Sequence, residues 1–267
     1  MIKYSCIVTL LEFNNVIAQN NYFMKKTALL TTIILIAGII YLNRAYANIY
    51  NIIGSTNLPP TPSKTNYFVN EQSKPLLKIA FLGDSLTAGA GVKWTEDTYP
   101  YQLAKKLALT QKKQIEVLNL GVPGATSNDV LNNQVTPALN FAPDIFVVFI
   151  GINDLHNFVP KTELKNNLEK IIAQLSVTNK KILVINIPYL GSKKSFLPPY
   201  QYLFNFQTKN YNKIFSELVG GDWQLINLYD LTRTEFKNNE NLYSIDHFHP
   251  NFEGYKLIAE TIYSTLN

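Results

Sequence analysis

From position 76 to the C-terminus, short apolar runs alternate with amphipathic stretches. Residues 76–82, 115–120, 145–150, 182–187 and 224–228 read as strands, the first of them apolar throughout after Lys78. Residues 100–109 read as a helix with Leu103, Leu107 and Leu109 on one face. Residues 161–177 read as a longer one, with Leu164, Leu168, Ile171, Ile172 and Leu175 as its stripe. Residues 127–139, 210–219 and 252–266 complete the helical set. Strands that are continuously apolar are those buried on both faces, which requires a parallel sheet covered by helices. The expected architecture is therefore an α/β fold, a three-layer α/β/α sandwich with a central parallel five-stranded sheet over residues 75–267. One stretch, 189–206, breaks the alternation. It carries Leu197-Pro198-Pro199-Tyr200, then Tyr202, Phe204 and Phe206, and reads either as a lid over the strand ends or as an ordinary packed connection.

The N-terminal 47 residues show a different pattern. Met24-Lys25-Lys26 precedes the apolar run 27–42, and Ala45-Tyr46-Ala47 offers small residues at the spacing a signal peptidase reads. The run is shorter than the ~20 residues of a typical spanning helix, and Arg44 stands beside the cleavage point. Residues 1–47 are expected to be a leader plus a signal peptide or uncleaved signal-anchor, with Met1 and Met24 both candidate starts. Residues 48–74 read as a linker, because Leu58-Pro59-Pro60-Thr61-Pro62-Ser63 favours extended polyproline geometry. The expected setting is export, periplasmic or extracellular, with a membrane tether through residues 27–42 if the segment is retained.

Composition narrows the partners. A hydrophobic fraction of 46% with 16% charged residues is that of a globular chain. The formal charge of +5 suggests an anionic partner, but arginine occurs only at Arg44 and Arg233. Lys3, Lys25, Lys26 and Arg44 lie in the first 47 positions against Glu12 alone, leaving 20 basic and 18 acidic residues beyond them. Nucleic-acid binding is disfavoured on that balance. Cys6 is the sole cysteine, so neither an intramolecular disulfide nor a cysteine-based metal site is available.

Candidate chemistry gathers just after the strands. Gly83-Asp84-Ser85-Leu86-Thr87-Ala88-Gly89 comes directly after the first strand, placing a serine at the carboxyl edge of the sheet, where ligands bind in such folds. A serine is inert at neutral pH until a base, an orienting acid and oxyanion donors accompany it. The histidines are His156, His247 and His249. In Asp246-His247-Phe248-His249-Pro250, His249 has the spacing to receive the Asp246 carboxylate on one nitrogen and offer the other to a serine. Taken alone, the same residues would read as a polar helix start. Oxyanion donors are sought in the Ser85 N–H, in a glycine N–H of Asn119-Leu120-Gly121-Val122-Pro123-Gly124, and in the Asn153 side chain. Taken singly, Gly121, Gly124 and Gly151 would also suit tight strand-to-helix turns.

These four blocks, Gly83-Asp84-Ser85-Leu86, Asn119 to Gly124, Gly151-Ile152-Asn153-Asp154 and Asp246-His247-Phe248-His249-Pro250, resemble those of the GDSL, or SGNH, hydrolases in order and over residues 78–263. The resemblance implies a flavodoxin-like α/β/α fold and ester hydrolysis through an acyl-enzyme, without metal or organic cofactor. It further implies Ser85 as nucleophile, His249 as base, Asp246 as its orienting acid, and Ser85 N–H, Gly124 N–H and Asn153 as the oxyanion hole. Gly124 is preferred to Gly121 as the later glycine of its block. Asp84 and Asp154 are expected to brace loops rather than move protons. The sequence departs from the G-x-S-x-G elbow, since Asp84 precedes the serine and no glycine stands two places after it.

Trp94, Tyr200 and Phe204 are candidate pocket residues, their rings suiting an acyl chain or a sugar face. Tyr99 is a further candidate. The expected activity is a serine esterase acting on acyl esters or lysophospholipids. An O-acetylesterase for cell-wall or extracellular polysaccharide is the alternative, and a non-catalytic lipid- or carbohydrate-binding module a third. A Rossmann nucleotide binder is disfavoured, because Gly83, Gly89 and Gly91 do not form G-x-G-x-x-G.

Overall fold

Six strands build the sheet: β1 (Asn66–Val69), β2 (Leu76–Gly83), β3 (Gln114–Asn119), β4 (Ile145–Phe149), β5 (Lys181–Ile185) and β6 (Trp223–Ile226). The computed structural model describes residues 2–53, 58–70, 76–189, 191–192, 194–218 and 221–266. It divides the chain into two compact units, Met1–Ala47 and Asn48–Asn267.

The strand order is β1-β3-β2-β4-β5-β6, and β3, β2, β4, β5 and β6 run parallel. The sixth strand, β1, corrects the five-stranded expectation. It pairs antiparallel with β3, Asn66 opposite Leu118 and Val69 opposite Ile115, so the sheet is mixed. It also lies inside the stretch that reads as linker. Only Tyr67 and Val69 of its four residues face inward, too short an alternation to stand out after a proline-rich run. Thr65 joins this edge as well, its carbonyl accepting the Asn119 N–H at 2.7 Å. Residues 54–57 and 71–74 of that expected linker lie outside the described residues.

The helices of this unit are α2 (Ser85–Ala88), α3 (Tyr99–Gln111), α4 (Ser127–Asp129), α5 (Val135–Phe141), α6 (Ile152–His156), α7 (Lys161–Ser176), α8 (Tyr200–Glu217), α9 (Leu228–Asn238) and α10 (Phe252–Ser264). On one side α10 packs against α3 and α9; on the other α7 packs against α5 and α8. Strands β2, β4 and β5 are apolar because both faces are covered, and Ile79, Ala80, Phe81 and Leu82 of β2 are fully buried.

Three helical expectations change. The stretch 127–139 is broken by a wide turn, Val130–Gln134, that sends the Gln134 amide onto β2. Its Oε1 accepts the Gly83 N–H at 2.8 Å and its Nε2 donates to the Gly83 carbonyl at 2.9 Å. Helix α8 begins at Tyr200 rather than at 210, so Tyr200 and Phe204 stand on its first turns and not in an irregular lid. Exposed Tyr202 and Phe206 blur its stripe. Helix α9 is an addition to the expected set: Leu228, Tyr229, Thr232 and Phe236 form its buried face, and the Asn227 side chain caps it.

Strand β2 lies between β3 and β4. The chain leaves it for β3 on one side and later reaches β4 on the other, which opens a crevice at the carboxyl end of β2.

The N-terminal unit belongs to α1 (Ile2–Ile53). Within it, Gln19–Ile49 is long and apolar enough to cross a membrane, and Leu29, Leu30, Ile33, Ile36 and Ile40 are exposed. The helix runs without a break through Ala45-Tyr46-Ala47.

Candidate active site

β2 ends at Gly83 and α2 begins two residues later, with Asp84 as the hinge between them. The Asp84 Oδ1 accepts the Leu86 N–H at 2.9 Å and so caps α2. The Ser85 N–H, at the first helical position, has no partner within the helix. The turn is tight. A methyl group on Gly83 would come within 2.3 Å of the Phe149 carbonyl oxygen, and one on Gly121 within 2.3 Å of the Ala88 nitrogen. Asn119 clamps the two segments, its Nδ2 donating to the Thr87 carbonyl at 2.8 Å and its Oδ1 accepting the Gly121 N–H at 3.0 Å. Burial lifts the Asp84 carboxyl to about 7, against the bond from Leu86.

The loop before α10 meets this serine from the other side. His249 Nε2 lies 3.0 Å from Ser85 Oγ, and His249 Nδ1 lies 2.6 Å from Asp246 Oδ2. The other Asp246 oxygen accepts the N–H groups of Phe248 and His249, both at 3.0 Å. With its carboxylate accepting at Nδ1, the imidazole carries its proton there and presents a lone pair to the serine hydroxyl. All three side chains are buried, with Asp246 the deepest.

Several bonds hold that loop against the segment that carries Ser85. Ser244 Oγ donates to the Gly91 carbonyl at 2.9 Å, Tyr255 Oη donates to the Ala90 carbonyl at 2.6 Å, and the Ser244 N–H reaches the His249 carbonyl at 2.8 Å. His247 takes the left-handed conformation, φ 55°. Its carbonyl accepts the Ser192 N–H at 2.9 Å and also the Ser195 hydroxyl. His247 thus contributes its backbone, while its ring stands 3.9 Å from Glu240.

The oxyanion candidates separate cleanly. The Gly121 N–H is already donated to Asn119, whereas the Gly124 N–H meets no acceptor among the described residues. Gly124 has φ 84°, and a methyl group there would touch nothing within 4 Å, so its backbone is open to a ligand. Asn153, on α6, gives one amide hydrogen to the Ala125 carbonyl at 2.9 Å and keeps the other. Beneath it, Asp154 accepts the Ser127 N–H at 2.9 Å and the Ser127 hydroxyl at 2.5 Å, and Asn167 donates to that hydroxyl at 3.0 Å. Burial raises the Asp154 carboxyl. Asp84 and Asp154 both brace loops.

The sequence model of the GDSL-like lipase/acylhydrolase family matches residues 81–257, a span that holds all of these groups. The chain belongs to this family.

The chain is 27% identical to an arylesterase of Vibrio mimicus over 191 residues, covering 69% of this chain and 86% of the relative. It is 26% identical to the uncharacterized protein YpmR of Bacillus subtilis over 216 residues, 73% and 83% of the two chains. Among solved structures, a lipase/acylhydrolase from Enterococcus faecalis superposes with a TM-score of 0.57 at 23% identity, covering 71% of this chain and 95% of the other. The acetyl xylan esterase AlAXEase gives 0.56 at 22% identity, covering 72% and 100%. These superpositions establish the shared fold.

Around the GDSL site the three expected pocket residues part company. Trp94 is exposed on the surface with the Lys93 ammonium 4.6 Å above its ring. Tyr200 packs against the edge of the core. Phe204 stands edge-on to His156 at 5.4 Å and near Phe196 at 4.5 Å, and His156 in turn lies 5.6 Å from Phe248, the neighbour of His249. Tyr99 is fully buried beneath Ser85's helix, its hydroxyl 3.0 Å from Thr87 Oγ1. The supports at Gly91, Asn119, Gln134, Ser127 and Asn167 are not legible in the sequence. Gly91 and Asn119 lie in or beside the motif blocks, but the partners that give them a role come from segments far away in the chain.

Proposed function

We propose that this hydrolase cleaves carboxylic esters through an acyl-enzyme on Ser85. The observation that carries the reading is the single imidazole of His249 bonded to Ser85 Oγ on one side and Asp246 on the other. Ser85 Oγ attacks the ester carbonyl carbon as its proton passes to His249 Nε2. Asp246 holds the Nδ1 proton and stabilises the imidazolium that forms. The carbonyl oxygen, now negative, is received by the Ser85 and Gly124 N–H groups and the free amide hydrogen of Asn153, donors typically worth about 2.7–4 kcal/mol each. Collapse breaks the bond to the alcohol, whose oxygen takes the proton from His249. Water then attacks the acyl-enzyme by the same route, releasing the acid and restoring Ser85.

The substrate class proposed first is acyl esters, lysophospholipids included; the similarity to an arylesterase supports ester substrates in general. A second reading, O-acetyl ester cleavage on polysaccharide, draws on a groove of about 300 Å³ lined by Val122, Pro123, Gly124, Asp129 and Asn133. A carboxylate and an amide in a groove at Gly124 suit a short acyl group or a hydroxylated substrate better than a long alkyl chain. Export, with α1 as signal or anchor, completes the proposal and accords with its apolar span.

Hydrolysis of p-nitrophenyl acetate against longer-chain esters separates the two substrate readings. A preference for acetate joined to acetate release from acetylated glycans would rule out the lipid one. In Ser85→Ala, turnover should fall by at least about 10³-fold with the thermal midpoint unchanged, and undiminished activity would remove Ser85 as nucleophile.

A further inference from the structure

His156 ends α6 three residues after Asn153, a spacing that puts both on one side of the helix. Its Nε2 is buried and has no hydrogen-bond partner among the described residues. A buried nitrogen left unpaired is unfavourable, and such groups call for an explanation. Packing does not supply one. Phe204 at 5.4 Å and Phe248 at 5.6 Å would cage a phenyl ring as well as an imidazole. Phe248 also stands edge-on to the His249 ring at 5.0 Å, so the unpaired nitrogen belongs to the surroundings of the base.

Chemistry says which part of an ester comes to that neighbourhood. His249 must hand its proton to the departing oxygen, so the alcohol portion of the substrate has to lie on the His249 side of Ser85. We infer that His156 is a substrate-binding residue, whose Nε2 pairs with a hydroxyl carried by the alcohol portion next to the ester. The inference rests on the esterase reading and sharpens it: the preferred substrate is an ester of a polyol. Phe204, on the first turns of α8, covers the imidazole edge-on and yields its place to the hydroxyl. Burial holds His156 neutral down to about pH 4, with the nearby charge of His249 adding to the effect. The ring therefore stays uncharged while His249 carries the proton.

Sugar acetates and monoacylglycerols both present such a hydroxyl, and the test separates them. Wild type, His156→Phe and His156→Leu are assayed on propyl acetate, on glycerol monoacetate and on a monoacetylated methyl xyloside. A site built around a hydroxyl loses much of its rate when the pairing is removed. Both variants are expected to lose about tenfold or more in kcat/KM on at least one hydroxylated ester while staying within about twofold of wild type on propyl acetate. The ester that shows the loss identifies the polyol. Equal losses on all three esters, or no loss on any, would overturn the role of His156. If wild type cleaves none of them and no longer-chain p-nitrophenyl ester either, the esterase reading itself fails. Propyl acetate turnover in each variant reports that it has folded.

Discussion

Gly91 stands directly against His249. A methyl group on Gly91 would lie 3.0 Å from the His249 Cβ and 2.5 Å from the Pro250 carbonyl oxygen, and its φ of 99° is one that side chains rarely adopt. The distance between the Ser85 segment and the His249 loop is thus set by the absence of a side chain, about 160 residues away in sequence from the histidine it admits. Gly91→Ala should push the base loop outward and lower kcat by about tenfold or more, since small displacements of a catalytic group are costly. Steady-state kinetics beside a urea melt would separate this from global loss of stability, which backbone strain puts at about 1–3 kcal/mol.

Asn153 should act on the transition state rather than on substrate binding. In Asn153→Ala, kcat is expected to fall by about 10²–10³ with KM within about threefold. A change confined to KM would take Asn153 out of the oxyanion hole.

Ser127 holds α4 to α6 through Asp154. Ser127→Ala removes the 2.5 Å bond to Asp154 and the acceptor of Asn167 while leaving both groups buried. The cost expected is about 1–3 kcal/mol in chemical denaturation. Because Asn153 neighbours Asp154 on α6, kcat should fall as well.

Asp84 gives a pH dependence of definite sign. Its carboxyl titrates near 7 when folded and near 3.8 otherwise, so between those values the folded state holds the proton more tightly. The stability it contributes is full below about pH 4 and lost as pH rises through 7, at about 1.4 kcal/mol for each unit of the shift. Asp84→Asn keeps an acceptor for Leu86 and should flatten that decline, becoming more stable than wild type at pH 8 in equilibrium melts. His156 acts in the opposite sense, its contribution present above pH 6.5 and lost as pH falls through about 4. A stability difference between wild type and Asp84→Asn that stays constant between pH 4 and 7 would show that Asp84 ionises freely, since the His156 contribution cancels in that difference.

Much of the fold and the site is legible in the chain itself. Strands β2, β4 and β5 declare themselves because burial on both faces leaves a nearly unbroken apolar run, and the four motif blocks each sit just past a strand or before a helix. Asp246 and His249 are recognisable as a pair because they stand three positions apart. Other elements are hidden. The four residues of β1 alternate too briefly, the aromatic start of α8 obscures its stripe, and α9 buries Leu228, Tyr229, Thr232 and Phe236 behind a polar surface.

The sequence by itself determined which groups could do chemistry and that a parallel α/β sheet would carry them, since residue type and apolar period are local properties. Only the tertiary structure decided which glycine N–H is free, which histidine nitrogen is left unpaired and what holds the base against the serine. Gly91 with His249, Gln134 with Gly83, and Asn119 with Thr87 are contacts between segments 32 to 158 residues apart. Their meaning depends on close approach and hydrogen-bond saturation, and neither exists until the layers have packed.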